Sequence, residues 1–171
     1  MTLIFQYGSN AFSERLNSDK RLKGDALPIE LVVTVGSFRL DFTTWSEGNQ
    51  CAAADIVPDS DRRIWGVLYR IPDHLVEREK SGDRKSLDAI EGDNYQRVPI
   101  KVEKQDGTPI EDDVFTYMVI NKRYDIRTSY KYAEYIITGL REHKAPDEYI
   151  NYVKTRVITN NPDLKQLIEE L

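Results

Sequence analysis

Apolar and polar residues alternate over several short segments in the first two thirds of the chain, as in β-strands with one buried face. The segments with this pattern are 2–7, 27–42, 52–57, 63–71, 95–104 and 114–120. Gly36 divides the second segment, so we expect a bend or a bulge within that long strand. The polar residues 59–62 separate the third segment from the fourth, so we expect these two strands to pair as a hairpin.

Helical spacing of apolar residues dominates the last third of the chain. Helices are predicted over 11–17, from Pro72 onward, over 86–91, 129–143 and 146–159, and over 162–171 at the C-terminus. Because most strands precede most helices, the fold class is predicted to be α+β. In that class a mixed or closed sheet carries helices on one side or at one end.

The composition is typical of one globular domain, here residues 1–171. Hydrophobic residues make up 40% of the chain and charged residues 31%, and the net charge is −5. The absence of a dense Lys/Arg patch argues against nucleic acid or an anionic membrane as a partner. The mixed-charge segment 77–85 favours a solvated loop. Because the sequence has no signal peptide and no long apolar run, we expect a cytoplasmic protein.

Few residues of the chain are suited to metal binding or thiol chemistry. Cys51 is the single cysteine and precedes three alanines, which favours a small residue packed in a strand over a nucleophile. His74 and His143 lie in charged surroundings, which favours surface positions over metal ligation. We therefore expect neither a metal nor a cofactor.

The segment LIFQYGSNA, residues 3–11, changes from an apolar run to Gly8-Ser9-Asn10. Gly8 tolerates positive φ, and Ser9 and Asn10 are both good helix N-caps. A strand, a tight loop and a helix start would leave several backbone N–H groups aligned, ready to hold an anionic or carbonyl oxygen. A plain turn between a strand and a helix explains the same residues.

Glu91 is the strongest candidate for acid–base chemistry. In LDAIEGDNY, residues 87–95, it lies beside the apolar stripe of Leu87 and Ile90, in the last turn before Gly92. Partial burial and the helix C-terminus both raise the pKa of a carboxyl group, as a general base near neutral pH requires. The alternative is a surface glutamate paired with Arg97.

Four sequence motifs resemble, in order, those of the γ-glutamylcyclotransferase-like (AIG2-like) family. They are YGSN at 7–10; RLDFTTWS, AAADIVPD and RIWGVLYRI between 39 and 71; LDAIEG at 87–92; and a Ser-x-x-Tyr helix followed by a Pro-x-x-Tyr helix within 128–153. The resemblance covers residues 3 to about 157. It implies a small closed or nearly closed β-barrel of mixed strands with flanking helices.

The resemblance also implies an activity and a set of site residues. The α-amine of a small γ-glutamyl compound attacks its own γ-carbonyl, which gives 5-oxoproline and a free amine or amino acid. Glu91 matches the catalytic glutamate, and Tyr7, Gly8, Ser9 and Asn10 match the loop that holds the glutamyl end. Tyr95 and Tyr132 match family tyrosines and are either substrate contacts or core aromatics. The enzyme is expected as a monomer or a homodimer.

The chain departs from the family pattern after Gly92. Active members often have a longer Glu-Gly-Val-x-x-Gly-x-Tyr segment, whereas Tyr95 here follows Gly92 by three residues. This difference leaves a non-catalytic binding or regulatory module on the same fold as the alternative. A small hydrolase with Ser9 as its nucleophile is a more distant one, for which no partner base can be named.

Overall fold

In a computed structural model, which describes residues 1–60 and 62–171, strands and helices combine in an α+β fold. The strands are β1 (Thr2–Gln6), β2 (Leu27–Thr34), β3 (Phe38–Ser46), β4 (Cys51–Pro58), β5 (Trp65–Ile71), β6 (Tyr95–Pro99), β7 (Val102–Lys104) and β8 (Val114–Val119). The helices are α1 (Ser13–Leu16), α2 (Leu87–Glu91), α3 (Tyr130–Glu142), α4 (Asp147–Asn160) and α5 (Lys165–Glu170). Short 3-10 turns span Ser9–Ala11, Asp73–Leu75, Arg78–Lys80 and Pro162–Leu164.

Six strands form one curled sheet in the order β6-β8-β1-β5-β2-β7, and β3 pairs with β4 in a separate two-stranded sheet. Strand β1 lies in the middle of the large sheet, antiparallel to β5 and parallel to β8. Strands β6 and β7 occupy its two opposite edges, yet only Ile100 and Lys101 connect them. Because the chain from Pro99 to Val102 spans at most about 10 Å, the two edges must approach each other. The sheet is thus a half-barrel, and the predicted fold class and nearly closed barrel are confirmed.

The predicted hairpin between residues 52–57 and 63–71 is wrong. Strand β4 pairs with β3, from Phe38 opposite Pro58 to Ser46 opposite Cys51, whereas β5 pairs with β1 and β2. The bend at Gly36 turns β3 out of the large sheet, so β3 takes the edge of β4 and leaves β5 free for other partners. Local alternation identifies a strand but does not identify its neighbour.

The predicted strand 95–104 is divided in the same way. Pro99 ends β6, since a proline has no N–H to donate to a ladder. The next two residues turn the chain toward the other edge: the N–H of Ile100 donates to Val114 O, and Lys101 O accepts from the N–H of Val35. Each half of the segment therefore pairs with a different strand, β6 with β8 and β7 with β2.

Alternating side chains of the large sheet contribute to two apolar clusters. Phe5 belongs to the cluster under α3 and α4, and its neighbour Ile4 belongs to the cluster on the other face, which includes Leu87 of α2. Cys51 is buried at the start of β4, as the sequence predicted. Ile168 of α5 is fully buried in the first cluster, so the C-terminal segment packs on this chain's own core.

Helix α3 packs closely on the turn that follows β1. At Gly139 a Cβ atom would overlap the backbone of Ala11 and Phe12, so only glycine permits this approach. The contact holds the Ser9–Ala11 turn against the helix that carries Tyr132. Within the residues described, no helix has both the length and the apolar composition needed to cross a membrane.

Candidate active site

All seven residues that the sequence predicted for the site line one connected cleft. The cleft is a cavity of about 420 Å³ with a small inner pocket of about 20 Å³. Tyr7 and Gly8 line the inner pocket but not the larger cavity. The five residues common to both cavities are Ser9, Asn10, Glu91, Tyr95 and Tyr132. Residues that lie far apart in the sequence, at the end of β1, the end of α2 and the start of α3, therefore meet around one space.

Helix α2 places Glu91 at this junction. The helix begins where the Ser86 hydroxyl accepts a hydrogen bond from the Ala89 N–H at 3.2 Å, as an N-cap does. It ends at Gly92, whose φ of +99° lies in the region that favours glycine. Leu87 is fully buried and anchors the helix. The predicted helix and its glycine stop are both confirmed.

Two side-chain amides hold the Glu91 carboxylate. Its Oε1 accepts hydrogen bonds from Gln6 Nε2 at 3.1 Å and from Asn10 Nδ2 at 3.0 Å. The alternative pairing with Arg97 is absent, because the nearest carboxylate to Arg97 Nε is that of Asp88, at 3.8 Å. In the described part of the chain, no Lys or Arg nitrogen lies within 4.0 Å of the Glu91 carboxylate.

Burial raises the pKa of Glu91, and the hydrogen bonds from Gln6 and Asn10 offset part of that rise. The position at the C-terminus of α2 acts in the same direction as burial, since the helix dipole disfavours negative charge there. A carboxyl group with a raised pKa exchanges a proton more readily near neutral pH than an ordinary surface glutamate does.

The Gly8-Ser9-Asn10 turn differs in detail from the expectation. Gly8 has a φ of −98°, and neither Ser9 nor Asn10 caps a helix with its side chain. Glycine is favoured here by close packing instead, because a Cβ would lie 3.3 Å from Ala54 Cβ. The first hydrogen bond of the turn is that from the Ala11 N–H to Gly8 O, so the N–H groups of Ser9 and Asn10 precede it and have no partner within the turn.

The three tyrosines of the site differ in where their hydroxyl protons go. Tyr7 donates to Tyr117 O at 2.6 Å, and Tyr95 donates to Ala54 O at 2.5 Å. Tyr132 instead accepts from the Ala54 N–H at 3.0 Å, and its hydroxyl also lies beside the Ser9 side chain. Burial raises the pKa of Tyr7, Tyr95 and Tyr132, so all three are neutral donors. Of the three, only Tyr132 does not donate to a backbone carbonyl, and it lines both parts of the cleft.

The shortened segment after Gly92 still reaches the cleft. The N–H of Tyr95 donates to Gly92 O at 3.3 Å, which closes a tight turn. The Asn94 side chain donates to Thr44 Oγ1 at 2.8 Å and to Asn121 O at 2.9 Å. These bonds fix the segment between two neighbouring parts of the fold, with Tyr95 at the cavity wall.

Sequence reasoning missed Gln6 and Arg21. Gln6 is a buried polar residue at the end of an otherwise apolar strand, and that was a usable signal. Arg21 donates from Nη1 to Asn10 Oδ1 at 2.9 Å, so it fixes the orientation of the amide that holds Glu91. No local pattern distinguishes Arg21 from the other charged residues of its loop. Neither the site nor the rest of the described chain contains three His, Cys, Asp or Glu residues grouped to hold a metal ion.

Three solved structures share the fold of this chain at low sequence identity. A γ-glutamyl cyclotransferase has a TM-score of 0.74 at 21% identity, covering 99% of each chain. The human uncharacterized protein loc79017 has a TM-score of 0.73 at 23% identity, covering 90% of this chain and 86% of the other. YkqA from Bacillus subtilis has a TM-score of 0.71 at 22% identity, covering 91% of this chain and 54% of the other.

No curated protein matches the chain significantly. The sequence model of the AIG2-like family matches residues 63–153, which is more than half of the chain and includes Glu91, Tyr95 and Tyr132. The chain belongs to the AIG2-like family.

Proposed function

We propose that the protein is a γ-glutamyl cyclotransferase, which converts the γ-glutamyl group of a small compound to 5-oxoproline and releases the attached amine or amino acid. The observation that carries the proposal is the Glu91 carboxylate, which is partly buried, has no cationic partner within 4.0 Å among the described residues and faces a cavity. The shared fold of a γ-glutamyl cyclotransferase supports the same reaction class.

The reaction needs one proton acceptor that can also return the proton. The Glu91 carboxylate takes a proton from the substrate α-ammonium, and the free amine attacks the γ-carbonyl carbon. The protonated Glu91 gives its proton to the leaving nitrogen as the bond from that carbon to this nitrogen breaks. The attacking nitrogen then loses its second proton through Glu91 to the released amine, which leaves as an ammonium ion. Glu91 is ionised again at the end of the cycle, and no water is consumed.

Ring closure is intramolecular, so the protein has only to fold, hold and deprotonate the substrate. Proton transfer by a positioned carboxylate contributes roughly 10²–10⁴ in rate. The negative charge that develops on the γ-carbonyl oxygen needs fixed donors. The Tyr132 hydroxyl and the N–H groups at the start of the Ser9–Ala11 turn are suited to that role.

The roles of two tyrosines can be separated by matched substitutions. We expect Tyr132→Phe to reduce kcat by roughly 10²–10³, the loss typical of one oxyanion donor. Tyr95→Phe is the control, because the Tyr95 proton is already donated to Ala54 O. A larger kcat loss in the Tyr95 variant would contradict the assignment.

The test of the proposal is a panel of γ-glutamyl compounds with different leaving amines, in which 5-oxoproline, glutamate and the free amine are measured together. We expect 5-oxoproline and the amine in equal amounts. Release of glutamate in place of 5-oxoproline would identify a hydrolase. Binding without turnover would identify a ligand-binding module on the same fold.

A further inference from the structure

A second cavity of about 680 Å³ adjoins the cleft. Five residues line both cavities: Arg21, Ser46, Gly48, Asn49 and Ile90. The outer walls come from α1 and the loop after it, from the tip of the β3–β4 hairpin and from Tyr135 of α3. The outer cavity therefore continues the cleft away from Glu91, and it is large enough for a second group of amino-acid size.

Four cationic side chains and one acidic side chain line the outer cavity. The cations are Arg15, Lys20, Arg21 and Lys85, and the acid is Glu14. Within the described chain, none of the four cations lies within 4.0 Å of a carboxylate oxygen. In a protein with a net charge of −5, this is a local concentration of unpaired positive charge. The sequence shows no such patch, because Lys85 joins the other three only in the folded chain.

The two arginines are held in place by neutral partners. Arg15 donates from Nη2 to Asn49 Oδ1 at 2.8 Å, and its guanidinium lies 4.2 Å from the centroid of the Tyr135 ring. Its Nε is buried and has no hydrogen-bond partner among the described residues. A buried donor without a partner costs free energy. An anion in the cavity would remove that cost, and it would also offset the repulsion between Arg15 and Arg21.

We propose that the outer cavity binds the leaving amine of the substrate, and that this amine carries two anionic groups, as an acidic amino acid does. The inference rests on the proposed function. The guanidinium groups of Arg15 and Arg21, nearer the reacting centre, bind the first anionic group. The ammonium groups of Lys20 and Lys85, both exposed at the rim, attract the second. Guanidinium groups suit a carboxylate because their donors match its two oxygens.

The test uses three substrates of nearly equal size, in which the γ-glutamyl group is attached to glutamate, glutamine or glutamine amide. The leaving groups then carry two, one and no carboxylates. A hydrogen bond to a charged group is worth about 1.5–3 kcal/mol. We therefore expect kcat/KM to fall about tenfold or more with each carboxylate removed.

Charge-removing variants identify the residues responsible. In Arg15→Gln and in the double variant Lys20→Gln, Lys85→Gln, we expect the preference for γ-glutamyl-glutamate to fall about tenfold. Lys101→Gln is the matched control, since Lys101 is exposed and lines neither cavity. Equal rates on all three substrates, or an unchanged preference in the variants, would overturn the inference. An equal loss on all three in Arg15→Gln would also overturn it, because Arg15 would then bind the glutamyl carboxylate.

Calorimetry with Glu91→Gln protein separates this inference from the proposed function. Binding of γ-glutamyl-glutamate about tenfold tighter than γ-glutamyl-glutamine, with the difference lost in the additional Arg15→Gln change, supports the acidic subsite even without turnover. Equal binding of the two compounds, or no binding of either, overturns it. Absence of 5-oxoproline from every substrate contradicts the proposed function alone.

Discussion

Gln6 provides a direct test of how the protein sets the ionisation of Glu91. It is 5% exposed, and its Nε2 donates to Glu91 Oε1 at 3.1 Å. Methionine is unbranched and similar in length, so Gln6→Met removes this donor and keeps most of the packing. The second donor, from Asn10, remains. The substitution should therefore change the charge on Glu91 more than the shape of the site.

The size of the effect follows from the two protonation states of Glu91. A hydrogen bond to the carboxylate is worth about 1.5–3 kcal/mol, and one to a neutral carboxyl group about 0.5–1.5 kcal/mol. The difference of about 1–1.5 kcal/mol corresponds to about a tenfold change in the fraction ionised. Because the lost bond favours the charged form, the pKa of Glu91 rises further in the variant. The acid limb of the kcat/KM profile then moves to higher pH.

The assay is the pH dependence of kcat/KM for 5-oxoproline formation. On the acid limb we expect Gln6→Met to be about tenfold slower than the wild type, with the two curves converging on the alkaline plateau. Gln96→Met is the control, because Gln96 is exposed on β6. A loss by the same factor at every pH would refute the reasoning, since Gln6 would then support substrate binding or folding instead.

Three further predictions concern stability, each checked by urea or thermal unfolding. Gly139→Ala should lower the free energy of unfolding by about 1–3 kcal/mol, because the new Cβ would overlap the backbone of Ala11 and Phe12. The higher helix propensity of alanine does not offset this overlap. Gly48→Ala is the control and should leave the stability unchanged, because a Cβ there has no neighbour within 4 Å. Asp55→Asn should cost about 3–5 kcal/mol, because the partly buried ammonium group of Lys122, 2.6 Å from the buried Asp55 carboxylate, loses its charged partner. Glu91→Gln should be at least as stable as the wild type at neutral pH. The pKa of Glu91 is higher in the folded than in the unfolded protein, so ionisation favours the unfolded state. The wild type therefore loses stability as the pH rises from the unfolded-state pKa to the folded-state pKa. That difference should disappear at acid pH, where both states of the wild type are protonated.

The sequence predicted the elements of the fold better than their pairing. Alternation located the strands and helical spacing located α3 and α4, because these signals depend on one face of one element. Helix α2 was predicted with its end at Gly92, since capping chemistry is local. The partners of β4 and β5 were predicted wrongly, because strand pairing depends on the bend at Gly36 and on the two residues that connect β6 to β7.

The site was predicted only where a motif carried it. Local patterns singled out the Tyr7–Asn10 loop and Glu91, a family resemblance implied their roles, and they do lie together. Gln6 and Arg21 were not found, because their contacts with Glu91 and Asn10 join residues 85 and 11 positions apart. The cationic cavity depends on the folded chain in the same way. Contacts of this kind have no periodic signal in the sequence.

The most direct test of the central claim is the rate of 5-oxoproline formation from a γ-glutamyl compound by the wild type and by Glu91→Gln. The amide oxygen of the variant can still accept the hydrogen bonds from Gln6 and Asn10, so the substitution removes the exchangeable proton site with little change in shape. We expect the rate to fall by roughly 10²–10⁴ while the variant stays folded and still binds the substrate. A variant that makes 5-oxoproline within a few-fold of the wild-type rate would contradict the role of Glu91.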